Sequence, residues 1–241
     1  MTPSGTIGKA DQGSTDSSAE EMCARYTLRR PRLADVAEAL DAEFAAEDEE
    51  VYRPRYNAAP TDLGWVVLYG ADRRVVRRAR WNYRTGANRL LINIRAETIG
   101  FGRFRDSFAT NRCAVIADGF YEWAGDGGAP TWFHAADDGL VLLGGLLKFS
   151  EVAGVPPRFS VLTTTSNTVV APVHDRMPVL IGSVQLDDWL TGDPVAALAM
   201  MNPAPSASLK ATKVSKRVNS VKNDDPACIA ERGPDNQGSL F

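Results

Sequence analysis

Between residues 64 and 181 the apolar residues come in short, β-branched runs separated by turn residues, and this punctuation restricts the chain to a sheet-built fold. Strands are predicted over 64–69 and 75–83, linked through Ala71-Asp72-Arg73 as a hairpin. Residues 90–94, 113–116, 159–165 and 178–181 read as further short strands. The runs 132–136 and 140–147 flank Asp137-Asp138-Gly139, a hairpin signal because glycine tolerates positive φ. Residues 56–61 read as a turn, and Val214 and 218–221 as short extended segments.

Helical spacing is sparse by comparison. After Pro31, the residues Leu33, Val36, Ala37, Leu40 and Phe44 recur with helical period, predicting one amphipathic helix that ends in the acidic run 47–50. Ser183 is placed to cap a short helix carrying Leu186, Trp189 and Leu190, and Asp193-Pro194 opens another that Pro203 and Pro205 halt. With no internal repeat and no linker, the class is α+β. It is a single β-dominated domain of short mixed and antiparallel strands curled into a barrel-like sheet with flanking helices. Residues 1–22 are polar and predicted to be a disordered extension, removed or never translated. Residues 23–228 carry the domain, and 229–241 form a loose tail.

Composition excludes some classes. No apolar run approaches the roughly 18 residues of a membrane helix, and the polar first residues are not a secretory signal. The three cysteines, Cys23, Cys113 and Cys228, lack the spacing of a disulfide framework or a zinc site, so a cytoplasmic protein without metal or cofactor is expected. Gly125-Asp126-Gly127-Gly128 lacks the Lys-Ser/Thr and helix of a phosphate loop. The net charge of −3 hides an asymmetry. Residues 51–112 carry thirteen arginines against four acids, while 1–50 carry twelve acids against five bases. Charge alone leaves two readings open, a phosphate-binding face or a solvated basic surface balanced by the acidic helix.

Four places set one chemically capable residue in apolar, strand-like surroundings, and such groups are costly unless partnered. Cys23 follows Met22; were Cys23 the first residue, its α-amine and thiol would form a 1,2-aminothiol, which condenses with an aldehyde to an imine and closes to a thiazolidine. Taken alone, a lone cysteine is more often a small buried hydrophobe. Glu122 sits in Gly119-Phe120-Tyr121-Glu122-Trp123, where desolvation would suit a general acid or base, although a strand-end glutamate paired with arginine reads equally. His174 precedes Asp175-Arg176-Met177-Pro178, and a histidine beside a carboxylate orients structure more often than it catalyses. Asn93 and Arg95 alternate onto one face of a strand.

Together these stretches resemble the SOS-response-associated peptidase (SRAP) family, proteins that crosslink to abasic sites in single-stranded DNA. The resemblance runs through Met22-Cys23-Ala24-Arg25-Tyr26, Arg55-Tyr56-Asn57-Ala58-Ala59-Pro60-Thr61 and Asn93-Ile94-Arg95-Ala96-Glu97-Thr98. It continues through Ala117-Asp118-Gly119-Phe120-Tyr121-Glu122-Trp123, His174-Asp175-Arg176-Met177-Pro178 and Val214-Ser215-Lys216-Arg217-Val218-Asn219. It implies that Cys23 bonds to the open-chain abasic sugar, Asn93 holds the cysteine end, Glu122 shuttles protons, and His174 assists the chemistry and its reversal. It places Arg25, Pro60, Arg95 and Thr163 on the DNA backbone near the lesion and makes the span 51–112 the strand-binding face. The implied partner is single-stranded DNA bearing an abasic site, engaged by a monomer whose Cys23 is exposed by translation from Met22 with methionine removal, the favoured route, or by self-cleavage of the Met22-Cys23 bond. The chain departs from the family at 81–89, which lacks a second tryptophan and leaves Tyr83 as the candidate aromatic wedge. It also departs at Ile94 and Ala24, where alanine and glycine are usual. A cysteine peptidase or amidase using Cys23 with His174, and a non-covalent DNA-binding module, are the competing classes.

Overall fold

The computed structural model describes residues 24–85, 90–100, 102–125 and 128–233; Cys23 and the proposed extension 1–22 lie outside them. In chain order, β1 (Tyr26–Leu28), helix α1 (Leu33–Ala39), β2 (Ala42–Glu43) and helix α2 (Ala46–Val51) come first. Then follow β3 (Arg55–Ala58), β4 (Leu63–Tyr69), β5 (Arg74–Arg80), β6 (Tyr83–Arg84), β7 (Leu90–Leu91) and β8 (Asn93–Arg95). Helix α3 (Arg105–Thr110) leads into β9 (Arg112–Ala117), β10 (Gly119–Trp123), β11 (Pro130–Ala135), β12 (Val141–Lys148) and β13 (Arg158–Thr165). The chain continues through β14 (Arg176–Pro178), β15 (Leu180–Ile181), helices α4 (Leu186–Thr191) and α5 (Pro194–Ala199), and β16 (Leu209–Lys213).

Strands β13, β12, β9, β4 and β5 are hydrogen-bonded in that order, and β5 returns to β13 at the Arg80–Arg158 pair, closing the sheet into a barrel. A second sheet runs β16-β11-β10-β1-β3. The expected α+β, β-dominated, curled architecture is therefore the one observed. β4, β9 and β12 bury both faces, which is why they read as unbroken apolar runs. Val66, Val115, Leu143 and Val161 join a core shared with Tyr26, Phe120 and Phe133 of the second sheet. Their alternates Val67, Ala114, Ile116, Leu142 and Leu162 pack with Leu33, Val36, Phe108 and Trp189 from the helices.

One long ribbon joins the sheets. β9 and β10 are separated only by Asp118, and β12 and β11 pair with them in turn. Asp137-Asp138-Gly139 is thus not a hairpin: β11 and β12 do not pair with each other, and the excursion (Asp138 φ 58°) carries one side of the ribbon from sheet to sheet. Buried Asp118 secures the crossing, accepting from Thr27 Oγ1 (2.5 Å) and Arg29 N (2.6 Å) and pairing with the Arg29 guanidinium (3.1 Å).

Several local expectations need correction. The single helix through residue 50 breaks at Asp41 (φ 47°), because Ala42–Glu43 pairs in parallel with Arg74 and Val75 of β5. Its acidic end forms α2, turned so that Asp48 is buried and meets Arg78 (2.9 Å). The predicted turn at 56–61 begins as β3, and the reversal follows it, with Asp62 N donating to Ala59 O and Thr61 at φ 76°. Ser183 does not cap α4, whereas Asp193 caps α5 through Val195 and Ala196 N–H groups. Val218 lies in a 3₁₀ turn (Lys216–Asn219) rather than a strand. The first residues of the expected tail are not loose: Glu231 bridges Val214 and Arg232 N donates to Lys213 O (2.8 Å), and 234–241 lie outside the described residues. No helix among the described residues is long and apolar enough to cross a membrane.

Candidate functional site

Two groups of polar residues gather the stretches singled out in the sequence. The first lies where β1 meets β10. Tyr26 pairs with Phe120 and Tyr121 N donates to Arg25 O (3.0 Å), so the antiparallel register sets Ala24 across from Glu122. Glu122 is buried, as its aromatic neighbours led one to expect. Arg25 is turned inward. Its Nη1 donates to Asn57 Oδ1 (3.0 Å) and Val218 O (2.8 Å), and burial lowers its pKa against the opposing pull of Asp62 and Tyr121.

Asn57 is the hub of this group. Only 1% exposed, it donates through Nδ2 to the carbonyls of Val218 (3.0 Å), Ser220 (3.1 Å) and Asn223 (2.8 Å). Asp224 completes the clasp by accepting from Tyr56 N (2.6 Å) and Asn57 N (2.8 Å) and pairing with Arg55, which also meets Asp62 (2.5 Å). Trp123 Nε1 donates to Asn219 Oδ1 (2.9 Å). Residues 218–224 therefore bind the β1, β3 and β10 stretches together.

The second group is arranged around β13. Asn93 pairs with Val161 on one edge, Thr163 sits between Arg95 and Pro178, and Thr165 pairs with Arg176. Val161 belongs to the core that holds Tyr26 and Phe120, so the shared register turns the Asn93 face toward the first group. Arg176 grips Glu97 with both arms (2.9 and 2.8 Å) and donates to Thr163 O (2.7 Å). This holds the Glu97 carboxyl below the usual carboxylate range. The Arg176 backbone N–H donates to His174 Nδ1 (3.0 Å), so the neutral imidazole carries its proton on Nε2. Exposed Asp175 lies 3.2 Å from the same nitrogen, but an Nδ1 lone pair already accepting cannot also donate, and the shorter, better shielded backbone bond prevails.

The other sequence-selected residues fall unevenly. Arg95 is exposed at the end of β8, Pro60 is partly exposed in the turn after β3, and Thr163 is fully buried beneath Arg176. Tyr83 is buried against Phe104 and Trp81 against Tyr26 and Phe159, so neither offers a free ring as a wedge. The span 51–112 is not one open basic face. Arg73 pairs with Glu43 and Asp72, Arg74 with Asp187 (2.7 Å) and Arg78 with Asp48, while buried Arg112 donates to carbonyls ending α3 and α4. Arg77, Arg95, Arg103 and Arg105 remain exposed. Sequence reasoning does not single out Asn57, Asp224, Glu97 or Arg176; each lies in or beside a selected stretch, but only contacts far along the chain reveal its use.

The model of the SOS response associated peptidase (SRAP) family matches residues 22–221, and the chain belongs to that family. It is 29% identical over 226 residues to the abasic site processing protein YoqW of Bacillus subtilis (86% of this chain, 99% of that one). It is 26% identical over 221 residues to the abasic site processing protein YedK of Escherichia coli (86% and 99%), and 26% identical over 228 residues to the abasic site processing protein HMCES of Gallus gallus (74% and 66%). Among solved structures, a Bacteroides thetaiotaomicron protein superposes with a TM-score of 0.74 at 16% identity (87% of this chain, 100% of that one), showing the shared fold. A phage-related protein of Bordetella bronchiseptica gives 0.64 at 25% identity (80% and 94%).

Proposed function

We propose that this protein recognises abasic sites in single-stranded DNA and becomes covalently attached to them through Cys23. The observation that carries the reading is the register of β1 on β10, which sets the residue after Cys23 across from buried Glu122, in a chain whose relatives are named abasic site processing proteins. In the reaction, the Cys23 α-amine adds to the C1′ aldehyde of the ring-opened sugar and expels water to give an imine. The Cys23 thiol then adds to the same carbon while its proton passes to nitrogen, closing a thiazolidine. Glu122 carries the proton that opens the sugar and leaves with water, and Asn93 holds the cysteine end. His174, protonated on Nε2, donates to the sugar oxygen and serves the reversal.

Arg95 takes the adjoining phosphate and Pro60 the strand beside it. Buried Thr163 supports Arg95 from beneath, and Arg25 aligns the β1 end through Asn57. Exposed Arg77, Arg103 and Arg105 extend the contact in place of the full basic span. A cysteine peptidase would need His174 as base toward the thiol, yet its Nδ1 lone pair is already engaged, which weighs against that class.

The aminothiol exists only when Cys23 is the first residue, by translation from Met22 with methionine removal or by cleavage of the Met22-Cys23 bond. The test uses protein beginning at Cys23, confirmed by intact mass, and an oligonucleotide with one abasic site on a denaturing gel. A shifted band is expected with this protein and none with Cys23→Ala or with a chain retaining residues 1–22. Equal adduct from either control overturns the mechanism.

A further inference from the structure

Arg176 does two things at once. Its backbone N–H fixes Nδ1 of His174, and its guanidinium spans from β14 to Glu97, just beyond β8. The arms run across Thr163, to whose carbonyl Nη2 donates (2.7 Å), so the guanidinium has two separate anchors. The side chain is only 12% exposed, and a planar fork on both carboxylate oxygens fixes direction as well as distance. β8 and β14 are short strands on β13, and β8 carries Asn93 two pairs from Thr163. We propose that Glu97 and Arg176 are a positioning pair: together they set the tautomer and orientation of His174 and hold it in register with Asn93. Neither touches the reacting atoms.

Resting on the reading above, the consequence is that a change at Glu97 acts on proton transfer through His174. Loss of the carboxylate charge releases the fork and lets residues 174–176 rotate. The Arg176 N–H then leaves Nδ1, and the ring distributes its proton over both nitrogens as free imidazole does.

The chain has two histidines, so nitrogen-15 NMR of histidine-labelled protein beginning at Cys23 is readily assigned, with His174→Asn identifying the His174 signals. Spectra are taken at about pH 8, where imidazole is neutral. In the wild type, His174 is expected to be protonated on Nε2 alone. In Glu97→Gln, nearly the same shape without the charge, and in Arg176→Lys, both nitrogens should move toward the averaged values of free imidazole. Adduct formation and reversal should each slow on the order of tenfold. Affinity for undamaged single strands should stay within about twofold, as expected when no phosphate contact is lost. An unchanged tautomer in folded Glu97→Gln overturns the proposal, whether or not the rate falls. If Arg176→Lys fails to fold, Glu97→Gln decides alone. The tautomer is read without DNA, so a wild type that forms no adduct would defeat the proposed function and leave this test intact.

Discussion

On the β1–β10 side of the site a buried neutral amide, Asn57, gathers main-chain carbonyls beneath partly exposed ion pairs, whereas on the β8–β14 side the connection is a half-exposed ion pair alone. Asn57 is 1% exposed and joined to Arg25 and three main-chain carbonyls; Glu97 keeps half its side-chain surface in solvent while gripping Arg176. Both arrangements connect stretches far apart in sequence. Their energetics differ because a buried polar group that loses its partner suffers the full loss of hydration, while an exposed ion pair exchanges its partner for water. The first arrangement carries stability, and the second sets geometry with little stability at stake.

The largest effect is expected at the hub. Asn57→Ala removes four hydrogen bonds and strands Arg25 and the carbonyls of residues 218–223, costing about 3–5 kcal/mol. Denaturant titration checks it, and a loss below about 1 kcal/mol would break the comparison. Next comes Glu97→Gln, which should cost less than about 1 kcal/mol in the same titration because the carboxylate is half-exposed. Its dependence on acid has a definite sign. The folded pKa is depressed, so the contribution of the pair is present above the ordinary glutamate range near 4.3 and is lost as pH falls through the lowered value. A destabilisation equal to that of Asn57→Ala would erase the distinction.

The smallest effect belongs to His134, stacked 4.0 Å from Trp132 with Nε2 against Thr212 Oγ1 (3.1 Å). Burial lowers its pKa, so between that value and about 6.5 the unfolded chain binds more protons and stability rises with pH. Thermal melts at about pH 5 and pH 7.5 should differ by a few degrees, and His134→Gln should shrink that difference. A gap unchanged in the variant assigns the pH dependence elsewhere.

Much of the candidate site was legible because its residues interrupt apolar strands. Asn93 and Glu122 lie in β-rich surroundings where a polar side chain requires a partner. What each partner would be was not legible. Arg25 reads as a phosphate ligand until Val218 and Asn57 are seen to hold one arm, and the arginine-rich span reads as one surface until Asp48, Asp187 and Asp224 claim members of it.

The sequence by itself determined the β-dominated class, most strand positions and the set of chemically capable residues, because alternation, turn residues and isolated polar groups are local properties. Only the tertiary structure decided that Asp137-Asp138-Gly139 carries a ribbon between sheets and that the helix through residue 50 breaks to place a strand on β5. It alone showed residues 218–224 clasping β1, β3 and β10, and Arg176 choosing Glu97. Those outcomes depend on which distant groups compete for a donor, an edge or a charge, and that competition is settled only when the sheets close.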